Sequence, residues 1–75
     1  MVYREMLALR VKDTVHQLVT EVTNTVKNLD QYDTIHIPLS SSDVDYIDIM
    51  VGDIDDAVQR TLRAIRLYQS YMSRS

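Results

Sequence analysis

Residues 33–53 read DTIHIPLSSSDVDYIDIMVGD, and two architectures compete for them. From Thr34 to Leu39, apolar and other residues alternate with period two. Ser40-Ser41-Ser42-Asp43 has turn chemistry, because short hydroxyls and carboxylates bond back to the local backbone. Val44 to Val51 is rich in β-branched and aromatic side chains, which suit a strand. Pairing Leu39 with Asp45, Ile37 with Ile47 and Ile35 with Ile49 tests the idea by parity. Ile35, Ile37, Leu39, Ile47, Ile49 and Val51 then share one face. Thr34, His36, Pro38, Tyr46, Asp48 and Met50 share the other. That is the pattern of a half-buried β-hairpin. It sets His36 opposite Asp48 and confines Pro38 to an edge.

The rival reading is a helix. Ile47, Val51, Ile54, Val58, Thr61, Ile65, Tyr68 and Met72 repeat alternately every four and three residues, which is a heptad seam. Val22 would then meet Val51, Val15 would meet Val58 and Val11 would meet Leu62. Two residues favour the hairpin. Gly52 inside a helix costs about 1 kcal/mol relative to Ala. Asp53 is a good N-cap with Asp55 and Asp56 in the following turn. The expected fold is therefore α+β: a single α-β-β-α domain over residues 1–75, with helices at about 3–29 and 54–73 flanking a hairpin at about 34–51. The alternative is an all-α antiparallel helical hairpin.

Outside this stretch the spacing speaks for helices. Leu7, Val11, Val15, Leu18, Val19, Val22, Val26 and Leu29 fall in one arc a little over 100° wide, and the spacing predicts that they are the buried stripe of the first helix. Ile54, Val58, Thr61, Leu62, Ile65, Tyr68 and Met72 form the stripe expected for the last helix. Leu9, Leu67 and Tyr71 fall off these stripes and are expected to serve self-association.

The chain has 75 residues and no cysteine. A domain this small buries only about 60% of its unfolded surface. It needs a staple, and disulfides and thiolate metal sites are excluded. A partner copy is the remaining common solution, so a homodimer is expected. No apolar run reaches the roughly 18 residues of a membrane span, and Arg4, Glu5 and Arg10 interrupt the N-terminus. A soluble, cytoplasmic protein without membrane contact is expected.

Charge is divided sharply. Residues 28–59 hold eight Asp and no Lys or Arg, while residues 60–75 hold four Arg and no acid. The acidic segment, with Asp43, Asp45, Asp48, Asp53, Asp55 and Asp56, is the expected surface for a basic protein partner. N-capping and a charged strand edge explain the same residues more plainly. Arg60, Arg63, Arg66, Tyr68 and Tyr71 offer a second possibility, an anion site for nucleotide or nucleic acid. A solvated helix face with arginines near its C-terminus is the plainer account, and nucleic acid is not the favoured partner. No metal or cofactor is expected. Asp43-Val44-Asp45 begins a calcium-loop pattern, but Ile47 takes the third ligand position. One Gly precludes a glycine-built phosphate loop or oxyanion loop. The functional expectation is a small homo-oligomeric binding protein, a regulator or inhibitor rather than an enzyme. An anion-binding module and a structural oligomerisation element are the alternatives.

Overall fold

The computed structural model describes residues 2–34 and 36–74. Two helices make up the fold: α1 over Tyr3–Leu29 and α2 over Ser41–Arg74. They pack antiparallel into a rod with extents of 57 × 16 × 15 Å. No strand is present among the described residues. This corrects the expected α+β hairpin and agrees with the helical alternative. Ile35, assigned above to the hairpin's apolar face, lies outside the described residues.

Three local observations explain the outcome. The serine run starts a helix instead of turning a hairpin. The Ser40 N–H donates to Asp43 Oδ2 at 3.0 Å, and the Asp43 N–H donates to Ser40 Oγ at 3.1 Å. This reciprocal capping box satisfies orphan donors at the helix N-terminus. Asp53, expected to cap, lies in mid-helix. Gly52 is also mid-helix with no positive φ, so its special backbone freedom is unused. His36 does not face Asp48: its Nδ1 lies 2.9 Å from Asp33 Oδ2, inside the interhelical connection.

The packing argument decides against strands. A lone two-stranded hairpin is marginal in water. As helix, residues 44–54 extend the α2 seam by about three turns along α1, and that burial overrides local β preference. A helix of 34 residues spans about 51 Å at 1.5 Å per residue.

The seam itself is narrow and small. Labelled as heptad a and d positions, α1 contributes Leu7, Val11, Thr14, Leu18, Glu21, Thr25 and Asn28, all buried or half-buried. Facing them on α2 are Ile47, Met50, Ile54, Ala57, Thr61, Ala64, Tyr68 and Tyr71. At the loop end Asn28 Nδ2 donates to Met50 Sδ at 3.4 Å. At the free end the rings of Tyr3 and Tyr71 meet edge-to-face at 5.3 Å. Ala57, 1% exposed, marks the closest-packed region. Three threonines enter this seam without orphaned hydroxyls. Thr14, Thr25 and Thr61 donate to the carbonyls of Val11, Glu21 and Ala57 at 2.9, 2.8 and 2.8 Å.

Candidate functional site: two flanks of one hairpin

An antiparallel pair of helices leaves two flanks beside its seam. One is built from the e positions of both helices, the other from their g positions. The e flank carries Ala8, Val15, Val22 and Leu29 from α1. From α2 it carries Val44, Val51, Val58, Ile65 and Met72. Every one of these is apolar, and Val19 and Val26 widen the stripe. Several are open to solvent, including Val22 at 40%, Val51 at 51% and Val19 at 57%. The expectation that Val15, Val19, Val22 and Val26 form the intramolecular core is thus corrected. α1 turns the Leu7–Val11–Leu18 edge of its arc toward α2 and leaves the valines outside.

The g flank differs. Tyr3, Arg10, Gln17 and Asn24 of α1 run beside Tyr46, Asp53, Arg60, Leu67 and Arg74 of α2. Near the free end, Arg10, Thr14, Arg60, Arg63, Ala64 and Leu67 line an open cleft of about 280 Å³. The three arginines are exposed, and none has a carboxylate of the described residues within 4 Å. His36–Asp33 is the one ion pair among the described residues.

The expected site residues are distributed as follows. Asp43 is committed to the capping box. The Ser40 N–H, and secondarily the Ser40 hydroxyl, hold its carboxyl below the ordinary value. Both contacts favour the charged form. Asp45, Asp48, Asp53, Asp55 and Asp56 are exposed on α2. Of the anion set, Arg60 and Arg63 share the cleft, whereas Arg66 is not among its lining residues. Tyr68 and Tyr71 are half-buried on the α2 seam. Leu9, Leu67 and Tyr71 do not gather into one patch. Leu67 borders the arginine cleft, and Tyr71 closes the free end of the seam on Tyr3. Leu9 lies in a shallow groove with Met6, Arg10, Asp13 and Gln17. The charge pattern brings Arg10 to the same basic end as the α2 arginines, but sequence reasoning missed Thr14 and the pairing of Arg10 with Arg60 and Arg63. The register between helices was the needed signal.

No group of three or more His, Cys, Asp or Glu among the described residues is placed to hold a metal ion. No helix among them is long and apolar enough to cross a membrane. No family model, curated protein or solved structure matches this chain.

Proposed function

We propose that this is a non-catalytic binding protein that works as an antiparallel homodimer, with two hairpins joined through their e flanks into a four-helix bundle. The observation that carries the reading is the unbroken apolar flank, without one charged residue on its nine e positions.

Area supports it. The hairpin exposes 5935 Å², whereas a compact monomer of 8.7 kDa exposes about 4,700 Å². The excess of about 1,200 Å² exceeds the roughly 800 Å² per partner of a standard interface. Burial inside one hairpin is correspondingly poor: Leu7, Met50, Ala57 and Ala64 are its buried apolar residues.

Charge selects both the occupant and its orientation. The free half of the rod, residues 3–17 and 60–74, carries seven Lys or Arg against two acids. The loop half, residues 18–59, carries nine acids against one Lys. An antiparallel second copy lays each acidic half beside a basic one. A parallel copy would stack like on like, which is destabilising. Of the acidic residues, Asp48 and Asp55 lie within one turn of the e-flank valines Val44, Val51 and Val58 and are thereby assigned first to the partner copy's basic half, whereas Asp53 stands on the g flank and stays open. In solution the bundle presents the outer helix faces and g flanks to other molecules, as a regulator or inhibitor that acts by contact requires.

Sedimentation equilibrium tests this. A mass of two chains at tens of micromolar is expected, and a monomer there overturns the proposal. Orientation is read by cysteine pairs, since the chain has no cysteine of its own. Mixed Val44→Cys and Met72→Cys chains should form the heterodisulfide. A Met72→Cys homodisulfide as the main product would refute the antiparallel arrangement.

A further inference from the structure

We propose that the arginine cleft on the g flank is a binding site for a compact, multiply charged phosphate group, such as pyrophosphate or the di- or triphosphate end of a nucleotide. Arg10 reaches it from α1, and Arg60 and Arg63 from α2. Three like charges around one cleft repel one another. Among the described residues no carboxylate stands within 4 Å of any of them to offset that. Asp13 is near Arg10 in sequence and lines the neighbouring groove, yet makes no ion pair with it.

The donor inventory fits a phosphate. Each guanidinium presents several N–H donors in a planar fork and no acceptor, the arrangement that pairs two-point with phosphate oxygens. Thr14 has already given its hydroxyl proton to the Val11 carbonyl, so the guanidiniums supply the strong donors. Ala64 is small and buried, which leaves the depression between the helices. Leu67 forms an apolar wall beside it, suited to a non-polar part of the ligand rather than to a second charge.

Two features favour a compact ligand over a nucleic-acid strand. The cleft, at about 280 Å³, sits at the lower limit of small-molecule sites, which begin near 300 Å³. The acidic loop half of the rod, with nine carboxylates, repels a long polyanion that tracks along it. The site lies on the flank opposite the apolar one. Its occupancy therefore does not depend on dimer formation, and a monomeric variant retains it.

The test is calorimetric titration of the full chain with pyrophosphate, first at low salt and then at 150 mM. Arg10→Gln, Arg60→Gln and Arg63→Gln are each expected to weaken binding at least tenfold. Arg66→Gln, which removes the same charge outside the cleft, is expected to change it less than twofold. Circular dichroism confirms that each variant stays helical. Absence of binding at low salt overturns the inference. So does an equal loss with Arg66→Gln, which would mean diffuse charge attraction. A parallel arm uses a single-stranded oligonucleotide. Tight oligonucleotide binding without pyrophosphate binding would also overturn it and assign the arginines to a nucleic-acid backbone. Binding by a chain made monomeric through Val58→Lys would show the two proposals to be independent. Loss of binding there, with helicity intact, refutes that independence and with it the site as drawn.

Discussion

The e and g flanks of this hairpin are made by the same two helices, have the same length and border the same seam, yet they carry opposite chemistry. One is Ala, Val, Leu, Ile and Met from end to end. The other mixes Arg, Gln, Asn and Asp with Tyr3 and Tyr46 toward its ends and Leu67 in the cleft. The difference teaches that a heptad seam alone does not describe a two-helix protein. The positions just beside the seam decide whether the molecule can be content with itself. Here the wet flank is compatible with solvent or an anion, and the greasy flank is not compatible with long exposure.

The sharpest way to break the comparison is one substitution on each side. Val58→Lys should dissociate the dimer and lower stability, because the burial supplied by the second copy is lost, while the single hairpin stays helical. Leu67→Lys should leave the mass at two chains. Sedimentation of the two variants side by side checks this, and equal masses would erase the distinction between flanks.

Between the flanks, Ala57→Leu forces a larger side chain into the closest-packed point of the seam. Overpacking of this kind costs about 1–3 kcal/mol. Urea denaturation should show it, and both flanks should be affected together because the helices are pushed apart.

The capping box sets a smaller effect common to both flanks. Ser40→Ala should cost about 1 kcal/mol, as loss of an N-cap does. The linked pH effect has a definite sign. The folded-state pKa of Asp43 is depressed, so its stabilisation is present above the unfolded value near 3.9 and is lost as pH falls through the folded value. Thermal melts at pH 6 and pH 2.5 should differ less for Ser40→Ala than for the parent chain.

The smallest expected effect is a gain at a position facing neither flank. A Cβ at Gly52 meets no atom within 4 Å, and the backbone there is helical. Gly52→Ala should stabilise by roughly 0.5–1 kcal/mol without changing either the mass or anion binding. A destabilised Gly52→Ala would contradict a continuous α2.

Much of α1 and of the second half of α2 is legible in the spacing of Leu7, Val11 and Leu18, and of Ile54, Thr61 and Tyr68. The middle of the chain is not. Ser40 and Asp43 have the same residue types in a turn as in a capping box, and only the helix that follows separates the two. Val44 to Val51 satisfies period two and period 3.5 at once, so local preference misleads until α1 is there to pack against. The exposed apolar flank was hidden for a related reason. Its valines read as core because the arc of α1 is wider than the strip one partner helix can cover. Arg60 and Arg63 were visible as a basic pair. Arg10 joins them only once the two helices are set in register.

The contacts at the two ends of the seam differ greatly in the length of chain they enclose. Asn28 and Met50 are 22 residues apart, while Tyr3 and Tyr71 are 68 apart. Ring-closure entropy grows with the enclosed length, so the hairpin zips from its connection outward. Amide exchange should accordingly be fastest around the tyrosine pair. The segment most reluctant by local preference, Val44 to Val51, is the one that must become helical earliest.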